Sequence, residues 1–192
     1  RDNGTVIVTG SIDLTGTKLP ELPRFGMRME LHQPYENLTY YGRGPFENYI
    51  DRYSGAFIGR YEDKVENQFY WYIRPQETGN KTDVRWLTLL DSGGLGVKIT
   101  GLQPISFSAL HFSPEDLDPG LTRKLQHTID IVPQKNIFLH VDLKQRGLGG
   151  DNSWGMYPHN EYRLLDKKYT YSYMIELVEK GSDKNDYLNS RK

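Results

Sequence analysis

A stretch of twelve residues combines four glycines and a proline with one tryptophan and three short polar side chains. It is residues 147–158, GLGGDNSWGMYP. Glycine and proline at this density exclude a regular helix or a central strand, so a shaped surface loop is predicted. Trp154 follows Asp151, Asn152 and Ser153, and an indole beside hydrogen-bonding side chains is suited to stacking on a sugar ring. The residues leave open the alternative that the indole folds back onto the core, because tryptophan is usually well buried.

Two further segments concentrate charged side chains around turns. They are residues 41–52, YGRGPFENYIDR, and residues 75–80, PQETGN. We interpret their charges as pairs that stabilise irregular backbone, with Glu77 facing Arg85 across a hairpin, rather than as the lining of a pocket. The predicted structural charge network consists of Arg43, Glu47, Asp51, Glu77 and Arg85.

The five histidines show no spacing that is typical of a metal site. Neither an HxH nor an HExxH pattern occurs, and without cysteine there is no thiolate site or disulfide. His127 is interpreted as a core histidine, whereas His140 and Asp142 share the outward face of one strand and could form a solvated contact. There is also no GxSxG turn or phosphate-binding loop. The sequence therefore predicts no catalytic residue, no metal ligand and no cofactor in this chain.

Composition excludes several classes of partner. The 192 residues carry 24 basic and 25 acidic side chains, with a formal net charge of −1. Because both signs are scattered along the chain, neither nucleic-acid binding nor a polybasic membrane patch is expected. No apolar run approaches the roughly 20 residues of a membrane span, and the first residues do not resemble a signal peptide. We expect a soluble protein, with the cytoplasm and the periplasm both left open.

The elements that must position these residues are strands. Apolar and polar residues alternate with a period of two, and only residues 114–117 could form a helical turn. Strands are predicted over residues 5–9, 25–31, 38–41, 69–73, 84–90, 97–99, 105–109, 125–131, 137–143, 162–164 and 169–175. This pattern predicts an all-β antiparallel sandwich in one domain, residues 1–178, that lacks its first strands. Residues 179–192 are predicted to be a polar tail.

The three glycine-containing segments occur in an order that resembles a known family. Residues 41–52, 75–80 and 147–154 resemble the C-terminal domain, or small chain, of β-galactosidases of glycoside hydrolase family 2. The likeness covers roughly residues 1–178. It implies a large antiparallel supersandwich, similar to the galactose mutarotase fold. It also implies that Trp154, in the pattern Gly-Gly-Asp-x-Ser-Trp, reaches the active site and stacks on the sugar.

The resemblance also implies what this chain lacks. The family's two catalytic glutamates lie on a separate (β/α)₈ barrel, which needs about 250 residues. Here no strands alternate with helices, so the chain alone is expected to be inactive. The implied partners are a β-galactoside, the barrel domain of the same enzyme and possible further copies of the chain. At Thr78 the family often has Asn, so no role is carried over to that position.

Three functions from different classes remain. The first is a non-catalytic domain of a β-galactosidase, and the second is a sugar epimerase of the mutarotase type. An epimerase needs a histidine and a carboxylate as acid and base, for which His111, His127 or His140 with Glu77 are the candidates. The third is a structural module that supports a neighbouring domain or builds an oligomer.

Overall fold

A computed structural model of the chain describes residues 4–118, 120, 126–152 and 154–179, and it contains eight β-strands in these parts. The strands are β1 (Val6–Asp13), β2 (Arg24–Leu31), β3 (Asn37–Gly44), β4 (Phe57–Lys64), β5 (Lys81–Leu90), β6 (Gly96–Leu110), β7 (Ile137–Gln145) and β8 (Lys168–Val178). The helical turn α1 spans Pro114–Leu117, and short 3₁₀ turns span Val65–Asn67, Thr128–Asp130 and Asn160–Tyr162. The predictions of an all-β antiparallel fold and of one helical turn at 114–117 are confirmed.

The long strand β6 joins two arms of sheet. The main path runs in the order β1-β8-β6-β5-β3-β4, and β7 and β2 branch from it. The first part of β6 pairs with β8, whereas residues 106–110 pair with β7, and every pairing is antiparallel. One arm therefore continues through β8 to β1 and the other through β7 to β2.

The two arms pack face to face. The ring of Phe25, on β2, lies 5.7 Å from that of Tyr169 and 5.6 Å from that of Tyr171, both on β8. The Tyr171 hydroxyl also donates to the carbonyl oxygen of Val141 on β7, at 2.9 Å. Facing sheets with interdigitated side chains are the defining feature of a sandwich. The main buried cluster is Leu38, Tyr40, Val65, Val84, Leu87, Leu89, Ile99, Ile105, Phe107, Ala109, Ile137, Leu139, Val141, Tyr171 and Tyr173.

Residues 105–110 of β6 and 137–142 of β7 are buried on both faces, which the sequence alternation does not reveal. One face contributes to the main cluster. The opposite face contributes Leu110 to a second buried cluster, together with Phe69, Phe112, Leu117 and Ile131. The prediction that His140 and Asp142 form a solvated contact is therefore wrong, since they are only 8% and 1% exposed. Residues 75–77 and α1 lie over this face and enclose a cavity against it.

Among the described residues, three predicted strands are absent, at 69–73, 125–131 and 162–164, and one strand was missed. Residues 69–73 and 126–131 lie outside any strand, although Leu125 itself is not among the described residues. Ile129 is 90% exposed and His127 is also largely exposed, so the interpretation of His127 as a core histidine is wrong. Aromatic and β-branched residues favoured strands there, but tertiary packing decides the outcome. Strand β4 was not predicted. It is an edge strand and mostly exposed, so its sequence shows no apolar face.

The structure also bears on the predicted strands at 97–99, 105–109 and 162–164, on membrane spans and on the tail. The strands expected over residues 97–99 and 105–109 are parts of the single strand β6. Residues 160–162 form a 3₁₀ turn, and Leu164 makes only an isolated bridge with Leu22. None of the helices in the described residues has the length and apolar character needed to cross a membrane. The tail lies almost entirely outside the described residues, so the domain boundaries remain a prediction.

Gly42 provides a test of how closely β3 packs on β5. A Cβ atom at this position would lie 2.6 Å from Cγ2 and 2.8 Å from Cα of Val84. We expect Gly42→Ala to lower the free energy of unfolding by about 1–3 kcal/mol, the usual cost of overpacking. At Gly55 an added Cβ meets nothing closer than 4.0 Å, so Gly55→Ala is the matched control. Equal urea midpoints for the two variants would contradict the prediction.

Candidate functional site

The glycine-rich loop, residues 147–157, is anchored at its base. The backbone N–H of Gly149 donates to Asp51 Oδ2 at 2.7 Å, and that of Gly147 donates to the carbonyl oxygen of Tyr162 at 2.8 Å. A Cβ at position 147 would lie 2.7 Å from Cγ of Asp51, so this close approach requires glycine. The loop is thus tied to the charged segment that precedes it in the chain by about a hundred residues.

The side chain of Trp154 is almost fully exposed to solvent. Its indole is 92% exposed, while its backbone N–H donates to Asn152 Oδ1 at 2.8 Å. Asp151 binds the Nε2 atom of His159 at 2.8 Å, and this contact raises the pKa of His159. Ser153, the remaining predicted binding residue, lies outside the described residues. The arrangement offers a flat apolar surface with hydrogen-bonding groups beside it, which can stack against a ring that carries hydroxyl groups.

Glu47 bonds to two segments that are not strands. Its Oε1 accepts hydrogen bonds from the Tyr72 hydroxyl and from Arg52 Nη2, and its Oε2 accepts from the Thr78 hydroxyl at 2.9 Å and the Gly79 N–H at 2.7 Å. The side chain is only 9% exposed. Burial works against the charged form, but these four hydrogen bonds outweigh it and lower the pKa of Glu47.

Asn48 joins the same segments through its backbone and its side chain. Its N–H donates to the carbonyl of Asn80, and Asn80 Nδ2 donates back to the carbonyl of Asn48, both at 2.8 Å. The side-chain oxygen accepts from the backbone and hydroxyl of Thr82, at 2.9 and 2.6 Å. Asn48 was not among the predicted network residues, although asparagine beside a Gly-Pro turn is a common signal of side-chain bonding to backbone.

The arginines of the predicted charge network have other partners than expected. Arg43 Nε donates to Asp83 Oδ2 at 2.5 Å, and its guanidinium lies 4.4 Å from the centre of the Tyr53 ring. The predicted pairing of Glu77 with Arg85 is wrong, because Arg85 bonds to the carbonyl oxygen of Asp83. Glu77 instead lies 3.0 Å from a residue on a distant strand, Arg24. Pairing across the sandwich cannot be deduced from spacing within a hairpin.

Arg24, on β2, is the centre of a second polar cluster. Its Nη2 donates to Glu77 Oε1 at 3.0 Å and to Gln145 Oε1 at 2.6 Å, and its Nη1 donates to Nδ1 of His140. Its Nε lies 3.0 Å from Asp142 Oδ2. Burial raises the pKa of Asp142 to about 7, although Arg24 opposes the shift. Burial, with the positive charge of Arg24, lowers the pKa of His140 to about 4.

A cleft lies beside the point at which the loop is anchored. It has a volume of about 630 Å³, and Asp51 is part of its wall. The remaining lining residues are Phe46, Glu47, Arg52, Tyr53, Ser54, Gly55, Ala56, Tyr70 and Tyr72. The exposed rings of Phe46 and Tyr70 give this cleft an aromatic surface. It could accept a flat ligand or the apolar side chains of another domain.

The histidines considered as epimerase acids occupy different surroundings. His111 bonds to Glu36 and to the carbonyl of Asn136, and His127 faces Asp130 at the surface. His140 alone lines the same cavity as Glu77. Among the described residues, no group of three or more His, Asp or Glu side chains is placed to hold a metal ion.

Comparison with known proteins identifies the family. The family model described as "Beta galactosidase small chain" matches residues 2–175. The β-galactosidase of Priestia megaterium (strain DSM 319 / IMG 1521) is 38% identical over 159 residues, which are 82% of this chain and 15% of that protein. The β-galactosidase of Streptococcus thermophilus is 36% identical over 175 residues, 90% of this chain and 16% of that protein.

The chain corresponds to a small part of these relatives. The β-galactosidase of Staphylococcus xylosus is 31% identical over 176 residues, which are 92% of this chain but 17% of that protein. The chain therefore spans between 15% and 17% of the length of the three relatives. Since the family match covers residues 2–175, which is most of the sequence, the chain belongs to the β-galactosidase small-chain family.

Proposed function

We propose that this chain is the C-terminal domain of a glycoside hydrolase family 2 β-galactosidase, which hydrolyses terminal β-galactosides. In this proposal the chain supplies one aromatic wall of the sugar site, and a separate barrel domain carries the catalytic carboxylates. The observation that supports it most directly is the exposed indole of Trp154 on a loop anchored to Asp51, in a chain of this family.

The exposure of Trp154 favours a binding role over a packing role. A large aromatic side chain that contributes to a core is removed from water, whereas this one is 92% exposed. The C–H face of a galactose ring can cover the indole, while Asp151, Asn152 and Ser153 lie close enough in sequence to meet its hydroxyl groups. Anchoring at Gly147 and Gly149 limits how far the loop can move, so less entropy is lost on binding.

We propose a structural role for the charge network. Arg43, Glu47 and Asp51 bond to backbone groups of segments that lack strand pairing, where such groups need side-chain partners. Glu77 lies in such a segment itself and bonds to Arg24 on β2. Arg85 differs from them, because it bonds to the carbonyl oxygen of Asp83 within its own strand, β5. In this proposal the network acts on the sugar only indirectly, by holding the base of the loop.

The epimerase alternative has one observation in its favour, the shared cavity of His140 and Glu77. A general acid must carry its proton at working pH, whereas His140 is neutral because its pKa is lowered to about 4. A neutral imidazole can donate a hydrogen bond but is a weak proton donor. We therefore rank epimerisation below the β-galactosidase proposal, and mutarotation assays on the chain distinguish the two.

The chain by itself is expected to show no hydrolysis of nitrophenyl β-galactoside. Retaining hydrolysis requires two carboxyl groups about 5–5.5 Å apart across the scissile bond. In this proposal both lie on the barrel domain. The complete enzyme is the positive control, assayed at equal molar concentration. Turnover by the purified chain that survives Trp154→Ala would contradict the proposal.

In the complete enzyme, Trp154→Ala is expected to raise KM more than it lowers kcat. Stacking acts on the sugar both before and during bond cleavage, so its loss weakens ground state and transition state alike. An aromatic contact worth about 0.5–1.5 kcal/mol corresponds to a rise of roughly 2- to 12-fold in KM. Trp154→Phe should restore part of the affinity, and Leu148→Ala, on the same loop, is the control. An unchanged KM would favour the purely structural module.

Glu47→Gln is expected to destabilise the chain by about 3 kcal/mol at pH 7. A glutamine has one acceptor oxygen in place of two, so donors now bound by the carboxylate lose their partner. Because hydrogen bonding lowers the folded-state pKa of Glu47, its stabilisation is present above the unfolded pKa of about 4.3 and is lost as the pH falls below it. The unfolding free energies of parent and variant in urea should therefore approach each other as the pH falls from about 4.3 through the lower folded-state pKa of Glu47.

The matched control is Glu62→Gln. Glu62 pairs with Arg60 at 2.6 Å, but both side chains are about half exposed or more. Surface ion pairs contribute about 0–1 kcal/mol, so this variant should remain close to the parent. Equal losses of stability for the two variants would contradict the structural role of Glu47.

A further inference from the structure

A second cavity lies on the face of β6 and β7 that is turned away from the main core. Its volume is about 330 Å³, within the range of small-molecule sites. Phe112, Leu110 and Phe138 form apolar walls, and Glu77, Ser108 and His140 form a polar wall. No residue of the glycine-rich loop lines it, so this cavity is separate from the site proposed around Trp154.

The hydrogen-bonding state of His140 follows from its partner. Arg24 can only donate, so Nδ1 of His140 must accept, and the single ring proton of the neutral imidazole lies on Nε2. In the described part of the chain, no protein group bonds to that nitrogen. His140 therefore retains one N–H donor at the wall of the cavity, and losing solvent there without a replacement acceptor is costly.

Glu77 supplies acceptors on the same wall. Its side chain is one third exposed, and Arg24 at 3.0 Å compensates its charge. Each carboxylate oxygen has two lone pairs, so Glu77 can accept a further hydrogen bond while Arg24 remains bound. Ser108 lies beside His140, because the two residues are paired across β6 and β7. The wall thus combines a donor, an acceptor and a hydroxyl.

We propose that this cavity binds a neutral, polyhydroxylated ring of monosaccharide size. The apolar walls suit the C–H face of such a ring, His140 Nε2–H donates to one hydroxyl oxygen, and Glu77 accepts from a neighbouring hydroxyl. An anionic ligand is disfavoured, since Arg24 is already shared between two carboxylates and Asp118 adds a further carboxylate to the lining. A purely apolar ligand would leave the Nε2–H donor of His140 without a partner.

The test is a titration of the ¹⁵N-labelled chain with methyl β-D-galactoside, followed by amide chemical shifts. We expect saturable shifts at residues 108–112 and 138–140, with weaker or no shifts from benzyl alcohol. Gln76→Trp should weaken this binding at least tenfold, because Gln76 is exposed at the cavity wall and the larger indole would fill the entrance. Lys18→Trp, which adds an indole at an exposed position outside the cavity lining, should leave it unchanged.

Two further variants separate the possible outcomes. His140→Phe removes the Nε2 donor and should weaken galactoside binding about tenfold. If this variant fails to fold, the effect of Gln76→Trp on galactoside binding tests the proposal instead. Trp154→Ala should leave the shifts at residues 108–112 intact. The proposal is overturned if no saturable shifts occur there, or if benzyl alcohol binds there and the galactoside does not. It is also overturned if galactoside binding survives Gln76→Trp but disappears in Trp154→Ala, a result that leaves the proposed role of Trp154 standing.

Discussion

The buried carboxylate of Glu47 holds together the parts of this molecule that have no strand pairing. Two irregular segments, residues 46–56 and 69–80, lie side by side, and their backbone groups cannot all be satisfied by a ladder. Glu47 accepts four hydrogen bonds from the second segment and from Arg52. Asn48 adds two hydrogen bonds with Asn80, since its N–H donates to the Asn80 carbonyl and its own carbonyl accepts from Asn80 Nδ2. The charge stays ionised because its partners are all donors, which is the condition under which burying a carboxylate is tolerable.

The same irregular corner carries the loop. Asp51 accepts from Gly149, so the position of Trp154 depends on a contact between segments almost a hundred residues apart. The three glycine-containing motifs thus meet in space, through Glu47 with Gly79 and Asp51 with Gly149, although no strand contains all of them. The loop shapes the surface, while the corner beneath it provides rigidity. In the proposed enzyme, the barrel and this domain would enclose the sugar from opposite sides.

On the second face of β6 and β7, the polar side chains are arranged around an arginine instead of a carboxylate. Here Arg24 shares its donors among Glu77, Gln145 and His140, with Asp142 close to its Nε. Burial shifts the pKa of Asp142 upward and that of His140 downward, because each group is more costly to bury when charged. Perturbed pKa values in a partly open cavity are frequent at functional sites, although structural clusters show them as well. The cavity beside this cluster is therefore the natural place to look for a second ligand.

The sequence alone determined the all-β class, most strands and the identity of the loop, because period-two alternation, glycine and proline act over a few residues. It also contained the motifs by which the family could be recognised. It did not determine which charged side chains pair with each other. Glu77 meets Arg24 rather than Arg85, and His140 is buried rather than solvated, because residues 75–77 and α1 cover a face that alternation could only label as polar. Such contacts join residues far apart in the chain, so only the packing of the two arms and of the irregular segments upon them decides which charges meet.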